Sequence, residues 1–371
     1  MSDSSTIWRD LFTQKMLICI FTGFTSGLPL FILISLLPAW LMDSGLELKA
    51  IALFSFIQLP YVLKFLWAPL FDGFSFSMGR RRGWLIIFQV LLLASISMAG
   101  LLDPKSQIMT VAIISTAIAF FSASQDAVID AYRRELLLDN ELGLGTAIHV
   151  NAYRIAGLIP GSLALILADV FAWELVFFIT GLFMIPGIIL TILIKEPLLK
   201  VMPPKTVKEA VIEPFMEFIN RKGIKEAILI LLFIFLYKIG DSMATALATP
   251  FYMDLGFSMT EIGVIAKTVG FWASIIGGIL GGILMIKIGI NRALWIFGFM
   301  QMFATLSFAW LAISGYSPLI LGITVGLEFF AAGLGTTAFI AYIAKTTNPK
   351  FTATQFALFT GLSAVPRTIT N

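Results

Sequence analysis

The sequence predicts an all-α membrane protein made of two related helical bundles, and three observations support this fold class. Hydrophobic residues form 58% of the 371-residue chain and charged residues only 13%, whereas a typical soluble domain is roughly 25% charged. Many apolar stretches reach the roughly 20 residues with which an α-helix crosses a bilayer. Two short motifs also recur at nearly the same offset, which indicates a duplicated unit.

The apolar stretches predict eleven membrane-spanning helices. Their approximate bounds are 16–42, 48–71, 84–102, 108–132, 146–170, 174–195, 226–253, 259–286, 291–313, 317–344 and a last one that starts near 351. A polar segment separates six spans from five. We therefore expect an N-terminal six-span bundle at 1–195, a linker at 196–225 with an amphipathic helix from Thr206 to Asn220, and a C-terminal five-span bundle at 226–371.

The distribution of Lys and Arg predicts the orientation of the chain in the membrane. With the N-terminus in the cytoplasm, 18 of the 25 basic residues lie in cytoplasmic segments, five lie within spans, and two, Lys49 and Lys105, lie on the opposite side. Cytoplasmic loops of membrane proteins carry such an excess of basic residues. We therefore expect a cytoplasmic N-terminus and a cytoplasmic linker.

The recurring motifs support a duplicated six-span unit. Met42-Asp43-Ser44-Gly45 at the end of span 1 resembles Met253-Asp254-Leu255-Gly256 at the end of span 7. The segment 79–86 at the start of span 3 likewise resembles 289–296 at the start of span 9. The repeat predicts a counterpart of span 6 near 384–405. We therefore expect the end of span 11 and a twelfth span to be missing from this sequence.

The scarcity of reactive side chains argues against an enzyme. Cys19 is the only cysteine and His149 the only histidine, so the chain offers neither a thiolate metal cluster nor a Cys–His nucleophile pair. A membrane acyltransferase, the enzyme alternative, would need a catalytic arrangement of His, Ser or metal ligands. We therefore expect no metal and no cofactor.

Charged residues inside the spans are the candidate functional groups, because a charge in the apolar core is costly unless it is paired, protonated or hydrated. Asp126 and Asp130 lie four residues apart on one face of span 4. Together with Arg154, a buried cation of span 5 that could meet a substrate carboxylate, they fit a proton or substrate path. The alternative is a structural network in which Asp130 pairs with Arg134 and Asp126 with Arg154 of span 5.

The second half carries its own buried charges. A rise of about 1.5 Å per residue places Lys238 of span 7 and Glu328 of span 10 roughly 17–18 Å into their spans, with Asp241 slightly further out. Lys238 and Asp241, three residues apart, can pair on one helix face. We expect a substrate or proton site here, with an ion pair that only positions helices as the alternative.

Two halves around a cytoplasmic linker resemble the major facilitator superfamily, and the loop Asp72-Gly73 to Gly79-Arg80-Arg81-Arg82 resembles its signature between spans 2 and 3. The chain is more specifically similar to the AmpG-type muropeptide permeases. The matching stretches are 23–30, 64–72, 124–132, 152–154, 163–169, 237–241, 333–339 and 353–358.

This resemblance implies a proton-driven importer of N-acetylglucosaminyl-1,6-anhydro-N-acetylmuramyl peptides in the bacterial inner membrane, serving cell-wall recycling. It implies a monomer in the lipid bilayer with no nucleic-acid partner. Spans 1, 4, 7 and 10 would line the cavity, and Asp72 with Arg80, Arg81 and Arg82 would form an interdomain gate. The alternatives are an acetyl-CoA transporter, whose span 4 shares a Gln-Asp motif, another superfamily transporter, and a truncated remnant that does not transport.

Overall fold

The computed structural model describes residues 13–197 and 207–370. Several side chains inside these ranges, including those of Asp241, Lys267 and Arg367, fall outside the description. The described residues form helices joined by short turns, and the only bridge of β type that they contain pairs Phe76 with Gly79. The predicted all-α class is therefore confirmed.

Nine helices in the described ranges are long and apolar enough to cross a membrane. They are α1 (Gln14–Asp43), α2 (Lys49–Leu66), α3 (Arg80–Ala99), α4 (Ile108–Leu136), α5 (Leu142–Ala168), α6 (Trp173–Leu193), α8 (Met259–Ile288), α9 (Ile290–Ser314) and α10 (Pro318–Thr346). Two further long helices are α7 (Ile224–Asp254) and α11 (Thr352–Thr370). All eleven lie where the sequence predicts a span.

Between α6 and α7 the linker contains two short helices, Val207–Val211 and Glu213–Lys222. The sequence predicts one helix over most of this stretch, and the part before Val207 lies outside the described residues. Phe218 of the second short helix packs edge-to-face on Phe359 of α11, with 5.1 Å between ring centroids. The linker helix therefore lies against the C-terminal part of the chain.

Glycines allow the helices of each half to approach closely. A side chain at Gly23 or Gly27 of α1 would collide with the backbone carbonyl of His149 or Tyr153 of α5. The second half repeats this arrangement, because Gly333 of α10 faces the backbone of α8. Small residues at helix crossings allow this backbone contact in membranes, where packing replaces the hydrophobic effect as the driving force.

Contacts between the first six helices and the last five run mainly through α5 with α8 and α10, and through α11 with α2 and α4. At the α5–α8 crossing, Asn151 lies against Gly278 and Ala147 against Gly282. These contacts place the start of α5 beside the end of α8. The division of the chain into bundles at 1–195 and 226–371 remains a prediction.

Candidate functional site

A cavity of about 730 Å³ lies between α1, α5, α8 and α10. The lining comprises Phe31, Ser35, Arg154, Gly157, Leu158, Gly161, Ser162, Ala266, Thr268, Phe271, Trp272, Ser274, Glu328, Phe329, Ala332 and Thr336. Within this lining α5 and α8 take the places that the family resemblance predicts for spans 4 and 7. The reason lies in packing, because α1 covers the polar face of α4.

The cavity opens toward one end of the helix bundle and is closed toward the opposite end. Its lining on α5 begins at Arg154 and continues to Ser162, while on α8 it runs from Ala266 to Ser274. Beyond Arg154 toward the start of α5, the Asn151–Gly278 contact brings the two helices together. The closed end is the one that carries the basic loops.

Three of the four lining helices contain a π-helical turn. These turns are Ile32–Leu36 in α1, Ile159–Leu163 in α5 and Ile262–Lys267 in α8. Each turn contributes at least one lining residue, such as Ser35 or Ser162. An inserted π turn shifts the direction of the side chains around it and is frequent at functional sites. The turns therefore help to present polar groups to the cavity.

Arg154 connects the two halves at the closed end of the cavity. Its Nη1 donates a hydrogen bond of 2.8 Å to the backbone carbonyl of Ser274 in α8. The Ser274 hydroxyl donates to the carbonyl of Phe271 at 2.8 Å. The guanidinium thus supplies positive charge where α5 and α8 diverge to form the cavity.

Glu328 supplies the opposite charge within the same cavity. Its side chain is 7% exposed, and Oε2 accepts a 3.5 Å hydrogen bond from the Thr305 hydroxyl of α9. Lys238 of α7 lies one layer behind the wall. Its Nζ donates to the hydroxyl of the lining residue Thr336 at 3.1 Å and lies 5.8 Å from the centroid of the Phe339 ring. The predicted Lys238–Asp241 pair lies outside the described side chains.

Asp126 and Asp130 lie on the face of α4 that meets its neighbours, away from the cavity lining. The Ser26 hydroxyl of α1 donates to Oδ1 of Asp126 at 2.5 Å. One residue earlier, Gln125 donates its amide to the carbonyl of Thr25 at 2.9 Å. These two contacts attach α4 to α1.

The ion pairs near the end of α4 differ from the predicted network. Asp130 accepts from Arg133 at 2.8 Å, and Arg134 instead lies 3.2 Å from Asp139. The predicted Asp130–Arg134 pair is therefore wrong, because the side chain three residues along, not four, turns toward Asp130. The predicted Asp126–Arg154 pair is likewise not among the ion pairs of the described residues, since Ser26 contacts Asp126 and Arg154 reaches α8.

Asp72 lies at the first turn of α11 and joins the two halves. Its Oδ1 accepts from Arg81 at 2.7 Å and from the backbone N–H of Ala353 at 3.1 Å. Its Oδ2 accepts from the backbone N–H and the hydroxyl of Thr354, at 2.9 and 2.7 Å. The first N–H groups of a helix have no intrahelical partner, and a carboxylate there is also favoured by the helix dipole.

Glu135, at the end of α4, completes this cluster. It accepts from Arg80 at 2.7 Å and from Arg81 at 2.6 Å, and it also accepts from the Thr352 hydroxyl. Arg81 in turn donates to that hydroxyl at 2.6 Å. Both Asp72 and Arg81 are fully buried. We call Asp72, Arg80, Arg81 and Glu135 the gate cluster.

Arg82 lies apart from the gate cluster. It donates to the carbonyls of Thr191 and Ile192 at 3.1 and 2.7 Å, where α6 ends. Basic side chains often satisfy the last carbonyls of a helix in this way. Of the four residues predicted for the gate, three meet at the α11 contact, and Arg82 instead holds the end of α6.

Several residues of the site were not predicted from the sequence. They are Glu135, Thr352 and Thr354 at the gate, Ser26 beside Asp126, and the cavity aromatics Phe31, Phe271, Trp272 and Phe329. Glu135 directly follows two arginines at the end of a span, and this concentration of charge in the sequence could have indicated a site residue. Among the described residues, no group of three or more His, Cys, Asp or Glu side chains could hold a metal ion.

The sequence is similar to known transporters along nearly its whole length. Residues 19–370 match the family model of the Major Facilitator Superfamily. The anhydromuropeptide permease of Escherichia coli K12 is 41% identical over 98% of this chain and 74% of its own length. A putative AmpG transporter of Rickettsia felis is 35% identical, over 92% of this chain and 85% of its own. An uncharacterized protein of Haemophilus influenzae is 50% identical, over 98% and 88% respectively.

Solved structures share the fold at low sequence identity. FucP, a Major Facilitator Superfamily transporter in the outward conformation, superposes with a TM-score of 0.73 at 12% identity, over 98% of this chain and 91% of its own. An outward-facing bacterial homologue of the iron transporter ferroportin gives a TM-score of 0.64 at 15% identity, over 96% and 90%.

Proposed function

The chain belongs to the Major Facilitator Superfamily, among its AmpG-type permeases, and on this premise we propose that it imports anhydromuropeptides together with protons. This membership confirms the prediction of a multi-pass membrane transporter rather than an enzyme. The observation that carries the proposed substrate is the 41% identity to an anhydromuropeptide permease over 98% of this chain. The cavity adds independent chemical support.

The charges in the cavity suit a sugar–peptide substrate. Arg154 offers a cation to a peptide carboxylate, and Glu328 offers an acceptor to an amide or amino group. The volume of about 730 Å³ lies within the range of roughly 300–1,000 Å³ common for ligand sites. Among the described side chains of this lining the one cation is Arg154, whereas an acetyl-CoA substrate would call for several.

The position of the cavity supports alternating access. Basic residues concentrate at the closed end of the helices, so the positive-inside rule orients the cavity toward the periplasm. We propose that the protein is an inner-membrane protein with a cytoplasmic N-terminus, in an outward-facing state here. In this proposal the chain works as a monomer. Its bundles 1–195 and 226–371, which the linker joins, rock about the cavity.

The proposed gate is the contact between the gate cluster and the start of α11. It lies at the cytoplasmic end in this orientation and must open for release. The proposed proton path uses Asp126 and Glu328, because each carboxylate is buried within a helix bundle and accepts a hydrogen bond from a hydroxyl. Asp130, Lys238 and Asp241 complete the set of charges proposed for coupling.

Uptake by proteoliposomes tests this function. Purified chain is reconstituted, and entry of radiolabelled anhydromuropeptide is measured with and without an imposed proton gradient. We expect gradient-dependent uptake that Arg154→Gln and Glu328→Gln reduce severely. Arg292→Gln is the matched control, because Arg292 is exposed at the start of α9.

The outcomes separate the parts of the proposal. Uptake that does not respond to the gradient would refute proton coupling but keep the substrate. Absence of uptake by correctly inserted protein would refute the transport function of this chain. Uptake that survives both cavity substitutions would refute the assigned site.

A further inference from the structure

The walls of the central cavity differ in chemical character. Phe31, Phe271, Trp272 and Phe329 contribute aromatic rings. The side chain of Trp272 is 58% exposed, although it lines a cavity, and Phe329 is 37% exposed. Large aromatic side chains are normally covered in a well-packed interior. Because Trp272 and Phe329 both line the cavity, ring area on α8 and α10 is available to a ligand there.

The ring of Trp272 packs against that of its neighbour Phe271, which also lines the cavity. The Phe271 ring meets it edge-to-face, with centroids 5.5 Å apart and an interplanar angle of 81°. Such pairs are favourable beyond their buried area. Three residues after Phe271 comes Ser274, whose backbone carbonyl accepts a hydrogen bond from Arg154. The aromatic surface and the cation of the cavity are thus fixed to the same stretch of α8.

The α5 side of the cavity includes a glycine with open space in front of it, Gly161. A Cβ placed on Gly161 would have only the Ser35 hydroxyl within 4 Å, at 4.0 Å. Gly161 lies within the π turn of α5, which also presents the Ser162 hydroxyl. The open space at Gly161 and the aromatic rings on α8 leave a slot with polar groups at its margin.

Depth along the helices separates this slot from the cation. On α5, Gly161 and Ser162 lie about 10–12 Å from Arg154 toward the open end, at about 1.5 Å per residue. On α8, Trp272 lies about 3 Å and Thr268 about 9 Å from Ser274 in the same direction. The guanidinium is therefore at the closed end, and the aromatic and hydroxyl groups lie nearer the mouth.

We propose that Trp272, supported by Phe271, is the platform on which the pyranose rings of the substrate lie. The C–H faces of a sugar ring are apolar and pack on an aromatic face, while its hydroxyl and acetamido groups bond to Ser35, Ser162 and Thr268. The peptide carboxylate then points to Arg154. This assignment rests on the proposed function, and it fixes the orientation of the substrate with its acidic end deepest in the cavity.

Substitution of Trp272 tests the platform in the full chain reconstituted in proteoliposomes. Trp272→Ala should raise the KM for labelled anhydromuropeptide about tenfold, which corresponds to about 1.4 kcal/mol of lost binding. Trp272→Phe should restore most of the affinity, whereas Trp272→Leu, apolar without an aromatic face, should not. Trp310→Ala is the control, because Trp310 is an exposed Trp of α9 outside the cavity lining.

Direct binding provides the second readout. The disaccharide N-acetylglucosaminyl-1,6-anhydro-N-acetylmuramic acid, without peptide, is titrated into detergent-solubilised protein by calorimetry. Trp272→Ala should weaken its binding by about the same factor as it raises the KM. Inhibition of uptake by the free stem peptide, which contains no sugar, should be unchanged by Trp272→Ala.

The proposal is overturned if Leu restores affinity as well as Phe, or if Trp272→Ala leaves disaccharide binding within about twofold of wild type. Failure of the proposed function looks different. Wild-type protein that binds the disaccharide but shows no uptake would refute transport alone, and the substitution series would still test the platform by calorimetry. Wild-type protein that binds no disaccharide would refute the platform.

Discussion

The carboxylate of Asp72 accepts a hydrogen bond of 2.9 Å from the backbone N–H of Thr354, although 282 residues separate them. Asp72 therefore acts as a cap for a helix of the other half of the chain. The same carboxylate also accepts from Arg81, so the contact joins a helix N-terminus to a buried ion cluster.

Asp72→Asn should destabilise the protein strongly. The amide keeps the shape of the side chain but removes the charge that faces Arg81 and the first turn of α11. Breaking one partner of a buried ion pair costs about 3 kcal/mol or more. Thermal unfolding in detergent measures the effect, with Asp103→Asn in an exposed loop as the control. Equal melting temperatures for both variants would contradict the assigned role.

Thr352→Val should loosen the closed end without removing a charge. Its hydroxyl contacts both Arg81 and Glu135, and valine has the same shape without that hydroxyl. Opening of the closed end can be measured with the reporter substitution Ala147→Cys in a Cys19→Ser background. Ala147 is buried against Gly282, so a thiol at this position reacts only when α5 and α8 separate. We expect faster maleimide labelling in the valine variant. An unchanged labelling rate would show that the hydroxyl does not hold this end closed.

Gly27→Ala should disrupt the α1–α5 contact. The added Cβ would collide with the backbone carbonyl of Tyr153, which no rotamer change can relieve. Overpacking of this kind typically costs about 1–3 kcal/mol. Gly240→Ala in α7 is the matched control, because nothing lies within 4 Å of its Cβ position. There alanine should be neutral or stabilise the helix by up to about 1 kcal/mol. Comparable melting temperatures for the two variants would refute the close contact.

The linker should detach from α11 at acid pH. Partial burial raises the pKa of Glu217, but hydrogen bonds from Arg221 and Gln355 outweigh it and hold that pKa below its usual value of 4.5. Folding therefore favours the ionised form, so this stabilisation is complete above pH 4.5 and is lost as the pH falls through the lowered pKa.

Hydrogen exchange across Glu213–Lys222 measures this linkage. Wild type should be better protected than Glu217→Gln at pH 7, and the difference should shrink below about pH 4.5. Glu226→Gln controls for the loss of a nearby charge. A difference independent of pH would assign the stabilisation to groups other than the Glu217 carboxylate.

The sequence was sufficient for the features that depend on composition along the chain. Apolar stretches locate the helices because a bilayer requires about 20 such residues. Asp72 and Arg81 were identifiable because two opposite charges at a loop of an apolar chain need partners. Their partner helix was not identifiable, because a contact with Thr354 leaves no periodic signal in either segment.

The residues that line the cavity were harder to predict. Which face of a helix meets a neighbour depends on small local changes, such as the π turn that includes Ser35. Asp126 and Glu328 are both carboxylates within apolar spans, so the sequence alone does not distinguish them. In the structure Ser26 covers Asp126, whereas Glu328 lines the cavity. Exposure of Trp272 likewise depends on how α5 and α8 diverge, and a single sequence does not contain that angle.

The gate cluster has a consequence for the energy of opening. Its two acids and two arginines all belong to the first half of the chain, so their charges sum to zero within that half. Among the described residues, the second half contributes hydroxyls and backbone N–H groups to the cluster, from Thr352, Ala353 and Thr354. In the proposed rocking motion, separation of the halves would replace these neutral donors with water and break no ion pair of the cluster. The four charged side chains would then stay paired with one another through each proposed opening.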